Sequence, residues 1–176
     1  MRRVRLMLAL CAASVVLAPM AWGQEAAKPG PEFELLKKML GTWDMVAKAG
    51  PVESKGTATN KLELGGLWLT MEMKAELLGQ KFEAKGMATY DATKKKYVMA
   101  WADSMSTFLH VHEGTFDEKA KNMTAIGDAP GEDGKPVKLK MVAELKNDDK
   151  LVQTVLLVGT DGKEQELVTI TYTRRK

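Results

Sequence analysis

The stretch PEFELLKKMLGTWDMVA, residues 31–47, changes its hydrophobic period in the middle. Up to Leu40 the apolar residues recur at helical spacing, with glutamates near the start and lysines near the end, as the helix dipole favours. Beyond Gly41 apolar and polar residues alternate, which is the period of a strand. We therefore predict a short helix over Pro31–Leu40 that Gly41 ends as a C′ glycine. The first strand follows directly, and the indole of Trp43 is expected to fill the closed end of a β-barrel.

The rest of the chain consists of short alternating segments separated by turn signals. Clean alternation runs over Leu67–Glu76, Lys81–Tyr90 and Val137–Leu145, and pairs such as Gly65-Gly66 and Asp161-Gly162 mark turns. Short turns force neighbouring strands to be antiparallel. We therefore predict an all-β fold, an up-and-down antiparallel barrel of about ten strands with a short N-terminal helix at one end. Closure of the barrel removes exposed sheet edges.

Two parts of this strand pattern are weak. We predict one strand over Phe108–Phe116 and a short one over Met123–Ile126. Between the second of these and Val137, the segment Gly127–Pro136 contains three glycines, two prolines and three acidic residues. This composition predicts that Gly127–Pro136 is the longest loop of the chain, and a mobile one.

The N-terminus has the pattern of an export signal. Arginines at positions 2, 3 and 5 precede an apolar run over Leu6–Met20, and Ala21-Trp22-Gly23 is a small-x-small cleavage site. We predict a signal peptide over residues 1–23, cleaved near Gly23-Gln24, and hence an exported protein, periplasmic or extracellular. Residues 24–30 are expected to be a flexible leader and residues 31–176 one barrel domain. The signal is too short and too soon interrupted by proline for a membrane span, and none follows it.

Composition excludes several functions of the mature chain. The only cysteine, Cys11, leaves with the signal, so no disulfide, reactive thiol or cysteine metal site remains. Loss of the three signal arginines lowers Lys+Arg from 26 to 23, equal to the 23 Asp+Glu. A mature net charge near zero gives no support to nucleic-acid or anionic-membrane binding. The sequence does not predict the oligomeric state.

Several residues then carry a family resemblance. Gly41-Thr42-Trp43 after a short helix, with Arg174 or Arg175 ending the last strand, resembles the lipocalin and fatty-acid-binding superfamily. More closely, the chain resembles a family of bacterial exported proteins with a lipocalin-like barrel, a domain of unknown function. The stretches that match are Leu64-Gly65-Gly66, Gly86 with Tyr90-Asp91, Lys95-Lys96-Tyr97-Val98, Trp101 with Asp103-Ser104-Met105 and Thr107, Glu113-Gly114-Thr115-Phe116-Asp117, Gly134-Lys135-Pro136, Asp161-Gly162-Lys163-Glu164 and Thr171-Tyr172-Thr173-Arg174. The resemblance implies the fold and a cation–π contact of the last-strand arginine with Trp43, with Gly41 as a further structural position. It implies no activity.

The inward face of the predicted barrel suits an internal ligand. Small residues at Ala84, Gly86 and Ala88 leave space, and several inward methionines are unbranched and polarisable, so they adapt to a guest or simply fill a core. The leading hypothesis is a binding protein for a small apolar or amphipathic molecule. The residues predicted to line its site are Trp43, Leu69, Met71, Met73, Phe82, Tyr90, Met99, Trp101 and Met141.

Two alternatives remain open. His110 and His112 are the only histidines, lie at i and i+2 in a predicted strand, and fall outside the family resemblance. Together they are candidates for a divalent metal, or one of them for haem, in a binding protein or an enzyme. Because Leu109 and Val111 are apolar, however, we expect those two to face inward and the histidines outward. The second alternative is a ligand-free interaction module that uses an outward Trp68 and the acidic Gly127–Pro136 segment, and it requires a packed, dry interior.

Catalysis has no support in the sequence. No Ser-His-Asp order and no strained serine turn is evident, so we predict no catalytic residue and lean against an enzyme.

Overall fold

In the computed structural model the residues described are 27–77, 79–131 and 135–176. The predicted signal peptide and residues 24–26 of the leader lie outside these ranges. Within them the chain forms one α-helix, one short 3₁₀ helix over Leu64–Gly66 and ten strands. Their bounds are α1 Phe33–Lys38, β1 Gly41–Ala49, β2 Val52–Glu63, β3 Trp68–Leu77, β4 Gln80–Asp91, β5 Lys96–Asp103, β6 His110–Asp117, β7 Asn122–Pro130, β8 Pro136–Asn147, β9 Lys150–Val158 and β10 Glu164–Arg174.

The ten strands form a closed antiparallel barrel. Each strand pairs with its neighbour in the sequence, and β10 returns to pair with β1. This closing pair runs from Trp43 opposite Arg174 to Lys48 opposite Thr169. The predicted up-and-down barrel of about ten strands, with a short helix at one end, is confirmed.

Side-chain alternation builds the barrel wall as predicted. On β1 the buried residues are Trp43, Met45 and Ala47, and their polar neighbours lie outside. On β4 the small residues Ala84, Gly86 and Ala88 are all buried. Small inward side chains on one strand leave the opposite wall without a packing partner, which is the condition for space inside a barrel.

The helix closes one end of the barrel. Its buried residues Phe33, Leu35 and Leu36 share a cluster with Leu69 and Tyr97 of the wall. The Tyr97 hydroxyl also donates to the Glu32 carbonyl at 2.9 Å. Six residues are too few for a helix that is stable alone in water, so packing on the barrel holds it.

The helix ends earlier than the sequence predicted. It stops at Lys38, with Met39 as C-cap, and Gly41 is already the first residue of β1, at φ +101°. The reason lies in the barrel, which supplies partners for the free carbonyls of the last turn. Nε1 of Trp43 and Nδ2 of Asn60 donate to the Met39 carbonyl at 2.9 and 2.8 Å.

Half of the predicted long loop is strand. Residues 127–130 belong to β7, and β8 begins at Pro136, so the prediction of a loop over Gly127–Pro136 is wrong in extent. Only residues 131–135 connect the two strands. Residues 132–134 lie outside the described ranges, so the predicted mobility of this connection stays a prediction. Glycine at 127 is a packing requirement of the strand and not a loop signal, because the neighbouring strand approaches it closely.

The predicted strands β6 and β7 also change length. β6 begins at His110, two residues after the predicted start, and β7 has nine residues in place of four. No helix among the described residues is long and apolar enough to cross a membrane.

Candidate functional site

The barrel encloses a cavity of about 420 Å³. It extends from Leu36 and Met39 at the helix end to Leu77, Phe82 and His110 at the other end. Those last three residues are partly exposed, so the cavity approaches solvent on the side away from the helix. Its volume lies within the usual range for sites that hold small molecules.

Most of the residues predicted to line an internal site do border this cavity. They are Trp43, Leu69, Met71, Met73, Phe82, Met99, Trp101 and Met141. Tyr90 does not: its ring packs edge-on against Tyr97 at 5.2 Å between centroids, beside the helix. Whether these residues hold a ligand stays a prediction.

Sequence reasoning found only Met141 in the wall formed by the last three strands and omitted the rest. The lining residues there share the inward alternation that was already visible in the sequence, and they are Leu139, Ala143, Leu145, Leu151, Gln153, Val155, Val168, Ile170 and Tyr172. The alternation signal was sufficient to find them. β9 hid it, because its outward positions are also largely apolar.

At the helix end, Trp43 and Arg174 form the predicted cation–π pair. Trp43 is 2% exposed, and the Arg174 guanidinium carbon lies 4.1 Å from the centre of its ring. Arg174 also donates to the Leu40 carbonyl, to Lys38 O at 2.8 Å and to Asp148 O at 2.8 Å. Arg175, the other candidate, instead pairs with Asp44 on the outside.

The predicted direction of the two histidines is wrong. His112 is 4% exposed and, with His110, borders the cavity, whereas Leu109 and Val111 are 57% and 46% exposed. Counting apolar residues in one strand was misleading because the outside of the barrel is itself apolar here. On this outer face Val111 is the register partner of Ala100 on β5, and Ala100 is the register partner of Met87 on β4.

A glycine on the next strand makes room for the His112 imidazole. Gly127 is the register partner of His112, and a Cβ there would lie 2.7 Å from Cδ2 and 2.9 Å from Cγ of the ring. The pairing of His112 with Gly127 explains two features that the sequence did not predict, an inward histidine and a glycine inside a strand.

His112 carries an unpartnered polar atom. Among the described residues, its Nε2 is the one buried side-chain nitrogen or oxygen without a hydrogen-bond partner. A buried donor or acceptor left unpaired costs about 1–3 kcal/mol. Burial lowers the pKa of His112, and so does the nearby His110, whose ring is stacked 6.3 Å away, while Asp128 acts in the opposite direction. The imidazole is therefore neutral at neutral pH.

The remaining cavity wall offers little polar chemistry. Asn60 is engaged with the Met39 carbonyl, and Nε2 of Gln153 lies 3.5 Å from the Met141 sulfur. Glu72 is exposed and pairs with Lys85 on the outside at 3.2 Å. Among the residues that the structure describes, no lysine or arginine lines the cavity. In the described part of the chain, no group of three or more His, Cys, Asp or Glu side chains is placed to hold a metal ion.

The interior does not suit the ligand-free interaction module. That hypothesis required a packed, dry barrel, and the cavity contradicts it. Trp68 is half-buried, and half of the acidic segment that was to act with it is strand.

Fold and interior together define a class: a hollow lipocalin-like barrel, closed by a helix at one end. The family model described as "Protein of unknown function (DUF1579)" matches residues 28–174. The chain therefore belongs to this family, and the predicted family of unknown function with a lipocalin-like barrel is confirmed. The bacterial and exported character of that family stays a prediction.

Solved structures support the fold. The crystal structure of Rv2717c from M. tuberculosis superposes with a TM-score of 0.60 at 14% identity, covering 85% of this chain and 100% of that one. The S-type phycobiliprotein lyase CPES from Guillardia theta gives a TM-score of 0.54 at 12% identity, covering 81% and 92%. Identities this low show similarity of fold alone. Among curated proteins, no sequence matches the chain.

Proposed function

We propose that this protein binds a small apolar or amphipathic molecule inside its barrel. The observation that carries the proposal is the cavity of about 420 Å³, whose wall is almost wholly apolar. A soluble barrel that packed for stability alone would fill such a space, since unfilled apolar volume is destabilising. The similarity to the lyase concerns the fold, so the proposal rests on the cavity.

The side chains of the wall suit a ligand that need not fit rigidly. Methionines at 71, 73, 99 and 141 border the cavity on several strands. Their unbranched thioether chains change rotamer at low cost and remain in contact with guests of different shape. Specificity must then come from the few polar groups of the wall.

A variant with a bulky side chain inside the cavity tests the proposed binding. Ala143 lines the cavity, while Val142, its neighbour on β8, faces the other side of the sheet. We expect the neutral dye Nile red to bind wild type with a fluorescence increase, and Ala143→Phe to weaken binding at least tenfold. Val142→Phe adds the same kind of bulk outside and is expected to bind as wild type does. Equal binding by all three proteins would place the dye outside the barrel and contradict the proposal.

The unpartnered Nε2 of His112 supports a second candidate, haem binding. An imidazole in an apolar cavity is a usual ligand for the iron of haem. A divalent ion is less suited, because only two histidines and no carboxylate cluster are available among the described residues. The residue that would hold haem is His112, with His110 beside it; bound haem would supply redox or gas-binding chemistry.

Titration with hemin tests this candidate against a matched control. If His112 is the axial ligand, His112→Ala abolishes the Soret shift of the bound form and His110→Ala retains it. Spectra that are the same for wild type and His112→Ala would exclude axial ligation by His112.

We also propose that the protein is exported, on the strength of the basic and apolar N-terminal pattern of residues 1–23. Expression of the full chain in a bacterium and N-terminal sequencing of the periplasmic fraction tests it. A mature chain starting at Gln24 is expected; recovery of the intact chain from the cytoplasm would contradict it.

A further inference from the structure

One buried polar atom of a residue that lines the cavity lacks a partner, and it can select the ligand. Nε2 of His112 is buried without a hydrogen bond, in a wall whose side chains are mostly apolar. No other group among the described residues satisfies it. A ligand that places one hydrogen-bonding group at this nitrogen removes the penalty of leaving it unpaired, whereas a pure hydrocarbon does not.

The charge of the cavity restricts that group further. Among the described residues that line the cavity none is a lysine or an arginine, so a carboxylate or phosphate would be buried there without a counter-ion. The one carboxylate in this described lining, Glu72, is exposed and paired with Lys85, so it is not free to pair with a ligand cation. The group that meets His112 must therefore be uncharged.

The position of His112 also orients the ligand. It lies at the register of Met99, below the end of the barrel where His110 and Trp101 pair. From His112 to Phe116 the strand continues four residues toward the helix, roughly 13 Å at the rise of a β-strand. Phe116, Met123 and Leu145 line that part of the cavity and would surround the hydrocarbon body.

We infer that the ligand is a neutral alcohol with a single apolar body, whose hydroxyl bonds to Nε2 of His112 and whose hydrocarbon points toward the helix. A hydroxyl both donates and accepts, so it satisfies Nε2 in either tautomer of the ring. This inference rests on the proposed binding function and specifies the ligand class of the same site.

Three probes of equal chain length separate the possibilities: n-decanol, n-decanoate and n-decane, each competing with bound Nile red at pH 7.5. In wild type we expect n-decanol to bind at least tenfold more tightly than n-decanoate, because the carboxylate is ionised at this pH. We expect n-decanol to exceed n-decane by roughly three- to tenfold, the range for one hydrogen bond.

Variants at position 112 test whether His112 causes the preference for n-decanol over n-decane. His112→Leu is expected to remove the advantage of n-decanol over n-decane while n-decane still binds, and His112→Gln, which keeps an uncharged hydrogen-bonding group, should restore part of it. Val111→Leu alters the outer face of the same strand, where Val111 is 46% exposed, and should leave the ratio unchanged. Circular dichroism of each variant verifies that the barrel is folded.

The outcomes separate this inference from the function on which it rests. If wild type prefers n-decanoate, or if His112→Leu leaves the ratio of n-decanol to n-decane unchanged, the alcohol class is wrong and internal binding stands. If neither Nile red nor any of the three probes binds, the binding function fails and the inference fails with it.

Discussion

Arg174 connects the last strand, the first strand and the helix. Its guanidinium covers the Trp43 ring at 4.1 Å and donates to carbonyls of Leu40, Lys38 and Asp148. One of these carbonyls, that of Lys38, is left unpaired by the end of α1. The planar fork of an arginine serves several acceptors and stacks on a ring at once, which an ammonium does not.

We therefore predict that Arg174→Lys lowers the free energy of unfolding by about 2 kcal/mol, although charge is conserved. Urea denaturation followed by Trp fluorescence measures it. The matched control is Arg175→Lys at the next position, where the side chain is half-exposed and pairs with Asp44 on the surface. That control should change little. A loss of the same size for both arginines would show that the Trp43 contact is not responsible.

Burial of His112 is expected to make the free energy of unfolding depend on pH. Burial holds its pKa in the folded state below the ordinary value, with His110 adding to the shift and Asp128 opposing it. Above about pH 6.5 the ring is neutral in both states and contributes no slope. As pH falls below that value the unfolded chain takes up a proton that the folded chain does not, so stability decreases by at most about 1.4 kcal/mol per pH unit.

The measurement compares wild type with His112→Gln between pH 7.5 and 5.0. We expect wild type to lose more of its free energy of unfolding than the variant over this interval. Titration of surface carboxylates acts mostly below this range, and His110 is present in both proteins. Parallel curves for the two proteins would show that His112 titrates alike in the folded and unfolded chains.

At the scale of elements, glycines determine where neighbouring strands come together. Gly56 on β2, Gly114 on β6 and Gly127 on β7 each face a backbone carbonyl of the adjacent strand, so closely that a Cβ would overlap it. Glycine inside a strand marks such close approaches and sharp bends of a barrel wall. At Gly127 the same gap also admits the imidazole of His112.

Gly127→Ala should therefore destabilise the protein by about 1–3 kcal/mol, the usual cost of overpacking. Because the added methyl meets both the Val111 carbonyl and the imidazole, it should also change the binding of n-decanol. Thermal denaturation and dye competition measure the two effects. Gly159→Ala is the control, since the nearest neighbour there is the movable carboxylate of Asp161. If both variants melt alike, close strand approach is not the function of Gly127.

At the scale of the whole molecule, closure of the barrel creates the cavity. The pairing of β1 with β10 joins residues that are 131 positions apart at Trp43 and Arg174, and without it the apolar inner face would be open to water. A ligand that binds only the closed barrel must stabilise the entire fold, because the unfolded chain has no cavity.

We predict that n-decanol at about 100 times its dissociation constant raises the free energy of unfolding by about 2.7 kcal/mol. For a chain of this length that corresponds to an increase in Tm of roughly 5–11 °C. Differential scanning calorimetry measures the shift, and Ala143→Phe, which fills the cavity, should show none. A shift of equal size in that variant would mean that the alcohol acts on the outside of the protein.

The sequence by itself determined the architecture of this protein. Period-two alternation and short turns implied sequential antiparallel strands, and the resemblance of Gly41-Thr42-Trp43 and Arg174 to the lipocalin superfamily implied closure over an indole. Alternation and turn signals are local, because they depend on a few neighbouring residues. The tertiary structure alone decided which way His112 points, that Gly127 belongs to a strand, and that the interior contains a cavity. Each of these depends on register between strands distant in sequence, and a shift of one residue in register reverses every side chain of a strand.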